Sequence, residues 1–172
     1  MMKEGYDQLD DILQFLETNF YSSYSWKITD LNINSEGKTY HACQYVLERK
    51  IIYSRLSNIT PKKVGQFVTF WKRNKDGITT PYSETDDFDF LCILVKFNDK
   101  LGQFVFPKSI LIQKGVLTTQ KKDGKRGFRV YPKWDKAISK QAISTQKWQL
   151  KYFIELNKST DLQHLKSLYL SK

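Results

Sequence analysis

The sequence predicts an α/β (α+β) domain with a mixed sheet flanked by helices, on three observations. Residues 3–20 put Leu9, Ile12, Leu13, Leu16 and Phe20 on one helical face, with Asp7, Asp10, Asp11 and Glu17 largely opposite. From Tyr24 to Arg73 the period shifts toward two, and Phe88 to Phe97 is nearly continuously apolar and aromatic, as suits strands. Ala137 to Leu156 reads as a second long helix, with Ala142, Trp148, Leu150, Phe153 and Ile154 as packing residues. Helix, strands, short helix, strand and helix together imply layers of sheet and helix.

The elements follow in order. Acidic residues near the start of the first helix suit its dipole. Thr39–Glu48 and Lys50–Leu56 read as strands joined by a very short reversal, and Gly65–Trp71 as another after the loop Thr60–Gly65. Asn74–Thr85 is polar and contains Asp76-Gly77 and Pro81, so an exposed connection is expected. Asp86–Gly115 is the central unit. Phe88–Phe97 is nearly unbroken in apolar character and should be buried on both faces. Asn98–Gly102 supplies turn chemistry, and Gln103–Phe106 is the return strand. Pro107 suits the first turn of a short helix, and Gly115 falls where a left-handed cap would end it. Residues 118–127 form a basic loop, and Phe128–Tyr131 is a short strand stopped by Pro132. Thr160-Asp161-Leu162-Gln163 resembles a capping box for a terminal helix carrying Leu165, Leu168 and Tyr169.

With 172 residues the chain suits one domain with a sizeable core. Its net charge of +10 is lopsided: residues 1–90 carry 11 basic and 13 acidic side chains, residues 91–172 carry 17 and 5. That imbalance favours a polyanionic partner. No apolar run is long enough to span a bilayer and the amino terminus is acidic, so a cytoplasmic protein is expected, with no membrane partner. Cys43 and Cys92 read as buried thiols outside any disulfide framework. Neither a G-x-G-x-x-G nor a Walker sequence is present, and no small-molecule ligand is implied.

Two constellations could carry chemistry. The basic one comprises Lys62, Lys63, Lys72 and Arg73 beside Trp71, then Lys114, Lys121, Lys122, Lys125, Arg126 and Arg129, followed by Tyr131, Lys133 and Trp134. Such side chains hold phosphates without reading sequence, and interleaved aromatics can stack on unpaired bases. The acidic one is Asp86, Asp87 and Asp89 at the entrance to the central strand, with Lys108 at the exit of its partner. Metal-dependent phosphodiester cleavage uses clustered acids to hold Mg²⁺ and a lysine near the attacking water. The usual acid two residues before that lysine is replaced by Phe106, with Pro107 between, so the motif is incomplete. The structural alternative is that these acids solvate a loop and end a strand. His41 and Cys43 resemble half a metal site, but His164 is far along the chain and nothing completes it.

The segments ITPKKVGQFVTFWKR, DDFDFLCILVKF, GQFVFPKSILIQKGVL, GKRGFRVYPKWDK and STQKWQLKYFIEL together resemble the MepB-like family. These are small bacterial proteins named for one encoded beside a multidrug efflux pump. The resemblance covers residues 1–156, leaving 157–172 as a C-terminal helical extension. It implies a restriction-endonuclease-like core, in which Asp89 matches the first acid and Lys108 the lysine. A displaced carboxylate, Asp87, Glu84 or Glu17, could replace the missing acid. The expected function is phosphate-directed DNA binding through Lys62, Lys63, Lys72, Arg73, Lys121, Lys122, Lys125, Arg126 and Lys133, without a cofactor. RNA remains open as the partner, as does the oligomeric state. The alternatives are an Mg²⁺-dependent nuclease using Asp87, Asp89 and Lys108, and a protein-interaction module linked to drug or stress response.

Overall fold

The computed structural model describes residues 9–34 and 40–172. A mixed α+β domain is built on a six-stranded sheet in the order β1-β2-β3-β8-β9-β11. The strands are Ile28–Ile33, Cys43–Leu47, Lys50–Leu56, Phe90–Phe97, Lys100–Pro107 and Phe153–Glu155 respectively. All neighbours are antiparallel except β3 and β8, whose parallel pairing makes the sheet mixed. A second, three-stranded sheet has the order β10-β5-β4, formed by Gly127–Val130, Gln66–Thr69 and Asn58–Ile59. Trp71–Arg73 (β6) and Thr79–Pro81 (β7) make a small ribbon.

Each face of the large sheet is covered by its own core. On one face, Ile52, Cys92, Leu94, Val105 and Ile154 meet Ile12, Leu13 and Leu16 of helix α1 (Leu9–Asn19) and Leu165 and Leu168 of helix α4 (Leu162–Leu168). On the other, Leu91, Ile93, Phe104 and Phe106 pack under Val68, Phe70, Phe128 and Val130. Helix α2 (Lys108–Gln113) adds Ile110 and Leu111 to that side, and Trp148 of helix α3 (Lys140–Gln149) packs against it.

The expected hairpin is β8–β9, with a shorter turn than the sequence suggests. Lys100 already pairs with Phe97, and Gly102 lies inside β9 opposite Val95. Gly102 is required there by proximity: a Cβ would stand 2.6 Å from the Phe153 ring. Gly115 has φ +71° after α2, the left-handed geometry expected of it. The expected long helix over 137–156 ends at Gln149; after a tight turn at Leu150–Tyr152 the chain extends as β11. Pairing with β9 gives Phe153 and Ile154 partners across the sheet edge, and this overrides their helical spacing. Residues 3–8 and Thr39, assigned above to a helix and a strand, lie outside the described residues. The expected exposed connection 74–85 is exposed only in part, because β7 interrupts it and Pro81 and Tyr82 are buried.

A polar knot sits inside the first core. The hydroxyls of Tyr21 and Tyr169 are 2.5 Å apart, and Tyr169 donates to Gln103 Oε1 at 3.2 Å. Cys92 Sγ lies 3.7 Å from the same Tyr169 hydroxyl. Burial pushes the Cys92 thiol up to about 12 and raises the phenols of Tyr21, Tyr45 and Tyr169. All four groups therefore favour their neutral forms in the fold. In the unfolded chain they ionise first as pH rises, so stability is intact below the ordinary thiol value of 9.0 and falls above it. Urea unfolding midpoints from pH 7 to 11 should show that loss. Leu165→Ala, which empties a buried site in this core, should cost about 2–5 kcal/mol at neutral pH in the same assay.

Candidate nucleic-acid interface

Basic residues from three separated segments line one groove of about 510 Å³. Lys63 comes from the turn before β5, Lys114 from the end of α2, Lys125 from the loop before β10, and Arg129 from β10 itself. Tyr131 and Trp148 supply aromatic surface, while Ser139, Gln141 and Thr145 complete a wall contributed by α3. No carboxylate is among the described lining residues.

Hydrogen bonds fix the groove's frame. Gln149 is fully buried; its Nε2 donates to the Arg129 carbonyl at 2.9 Å and its Oε1 accepts from the Tyr131 amide at 2.8 Å. One side chain thus ties α3 to the backbone on both sides of Val130. Ser139 Oγ accepts from the Ala142 amide at 3.1 Å and caps α3 at the groove, bringing the positive end of the helix dipole to its wall. Arg129 donates to the carbonyls of Val64 and Gly65 and to Thr60 Oγ1, which anchors the guanidinium to the loop carrying Lys63. Lys114 Nζ lies 5.4 Å from the Trp148 ring centroid, a cation–π arrangement across the groove.

The structure brings together only part of the expected basic set. Lys63 and Lys125 line the groove. Lys62, Lys121 and Lys122 are exposed on the same two loops but do not line it. Lys72 instead forms an ion pair with Asp86, Nζ to Oδ1 2.6 Å. Arg73 donates to the Gly77 carbonyl and Arg126 to the Thr79 carbonyl, both around the β6–β7 ribbon. Lys133 is exposed and also stands outside the lining.

The expected acidic constellation has structural partners. Asp89 Oδ2 accepts from the Ile51 amide at 2.8 Å, while its own amide donates to the Ile51 carbonyl at 2.9 Å. This residue extends the β3–β8 ladder by one step. Lys108 Nζ donates to the main-chain carbonyl of Asp86 and stands 5.2 Å from the Phe88 ring centroid. Asp86 accepts from Lys72 and from the Ser83 amide, and Asp87 is exposed. Glu17 Oε2 takes the Ile28 amide at 2.6 Å, tying α1 to the start of β1. Among the described residues no three of His, Cys, Asp and Glu gather around a point that could hold a metal ion. Asp89 thus spends one carboxylate oxygen on the Ile51 amide, and Lys108 Nζ is held on the Asp86 carbonyl. His41 precedes β2 and has φ +46°, so it does not share a strand face with Cys43.

The family model MepB-like matches residues 34–155. A crystal structure of MepB is 37% identical, with a TM-score of 0.76, covering 88% of this chain and 99% of that one. The structure of a bacterial homing endonuclease is 16% identical, with a TM-score of 0.45, covering 81% of this chain and 88% of that one. No curated protein matches.

The partner assignments set two magnitudes. Asp89→Ala removes the acceptor for the Ile51 amide and should cost about 1–2 kcal/mol in urea unfolding. A Lys72/Asp86 double-mutant cycle should give a coupling below about 1 kcal/mol, because the lysine side chain is 37% exposed.

Proposed function

The chain belongs to the MepB-like family, and from that premise we propose that it binds nucleic acid through phosphates, with DNA as the first substrate to test. The observation that carries this reading is the convergence of Lys63, Lys114, Lys125 and Arg129 on a groove with no carboxylate among its described lining residues. A surface lysine alone is a solvated charge. Four cations drawn from three segments into one concavity make a local positive potential that a phosphate backbone relieves.

Binding would come mainly from counterion release, with little reading of sequence. The tethered Arg129 acts as a fixed donor, and the lysines act as point charges that track successive phosphates. Lys62, Lys121 and Lys122 extend the contact outward along the same loops. Tyr131 and Trp148 offer aromatic surface within the groove, which suits an unpaired base more than a stacked duplex. The reading is one of binding without cleavage, supported by the structural bonds of Asp89 and Lys108. A restriction-endonuclease-like core would then serve as a scaffold for phosphate contacts.

The test is fluorescence anisotropy on labelled duplex and single-stranded DNA across a salt series. Lys63→Glu with Lys125→Glu should weaken binding by at least about tenfold and lower the salt slope by about 2. Lys133→Glu should have a smaller effect. Equal affinity for the double variant and the wild-type protein would overturn the groove assignment.

A further inference from the structure

Among the described residues, the second core leaves one part of the large sheet uncovered. Among the described residues it contains none from β1 or β2, and there a pocket of about 280 Å³ opens. Register explains its floor. Asn32 of β1 pairs with Gln44 of β2, and Gln44 pairs with Tyr53 of β3, so three polar side chains form a row across the sheet. Arg55, two residues beyond Tyr53 on the same strand face, stands at the inner end. Tyr82 closes the side next to the covering layer.

Arg55 is the unusual group. It is 5% exposed, yet among the described residues no carboxylate pairs with it. Its Nη1 donates to the neighbouring Ser54 carbonyl at 2.8 Å, and its Cζ lies 5.3 Å from the Phe70 ring centroid. Those partners carry no formal negative charge and occupy only part of a guanidinium fork that has five donors. Burial disfavours the cation and lowers its pKa, the expected result of desolvating a charge without an anion. A buried charge is ordinarily paired or coordinated. Here the space beside it is open, and its rim carries phenol and carboxamide groups that can donate to oxygen.

We propose that this pocket is an oxyanion site for a phosphate group, with Arg55 as the charge partner and Tyr53, Asn32 and Gln44 as the hydrogen-bonding rim. The site is separate from the basic groove: their lining residues do not overlap. It does not rest on the nucleic-acid reading. Phosphate suits this lining because a guanidinium fork meets two of its oxygens while the rim donors reach the others.

The experiment uses the full chain and inorganic phosphate at constant ionic strength set with chloride. Phosphate should raise the melting temperature saturably, and calorimetric titration should give one site per chain. Arg55→Met should abolish both responses. In phosphate-free buffer this variant should melt at or above the wild-type temperature, since it removes a buried charge without a counter-charge. If Arg55→Met does not fold, the rim variant Asn32→Ala with Gln44→Ala carries the test and should weaken phosphate by about tenfold. A response equal to that of chloride, or one that survives Arg55→Met, overturns the site. Comparing orthophosphate with 5′-phosphorylated and 5′-hydroxyl dinucleotides identifies the source. Equal binding of orthophosphate and the 5′-phosphorylated form points to free phosphate, and much tighter binding of the latter to a nucleic-acid end.

Discussion

Strand β8 has no solvent face from Phe90 to Val95, and that constraint dictates the rest of the molecule. A strand apolar on both sides must have a layer above and a layer below it. The layer of α1 and α4 satisfies one side, and the small sheet with α2 and α3 satisfies the other. Neither layer is dispensable, because removing either would expose a continuous row of large aliphatic and aromatic side chains. Two of the three residues that looked catalytic flank this same strand pair. Asp89 starts its parallel ladder with β3, and Lys108 locks the segment leading into it.

Each core also contains a buried glutamine with defined partners on both ends. Gln103 meets the tyrosine pair beneath α1 and α4. Gln66 accepts from Ser57 and donates to the Lys96 carbonyl, joining the small sheet to the end of β8. Gln149 joins α3 to β10. A carboxamide is suited to this role because it donates and accepts without a charge to desolvate. Apolar packing sets how close the layers come, and these bonds set where they stop sliding.

Much of the fold was legible in the sequence because burial there is one-sided or complete. The period of Ile12, Leu13, Leu16 and Phe20 marks α1, and the apolar run ending at Phe97 marks β8. Strand β1 was missed because five of its six residues are exposed and leave no alternation to read. Strand β11 was missed because three residues continue a helix-like spacing, and only the β9 edge makes them extend. The site was legible in charge but not in membership. Lys63 and Lys125 were visible as basic residues, whereas the diversion of Lys72 to Asp86 depends on contacts that no local pattern records. Gln149 and Arg55 gave no signal at all, since a polar residue looks like surface until its depth is known.

The Gln149 clamp grips main-chain atoms and leaves the groove's side chains out of the contact. The width of the groove is thereby uncoupled from the identity of the residues that decorate it. Lys63, Lys125 and their neighbours can be exchanged for other charges, or for other shapes, while the jaws keep their spacing. Position 149 itself has no such latitude: glutamate would lose the donor and leucine would orphan two buried backbone groups. The backbone spacing of the groove is therefore set apart from the charges displayed along it.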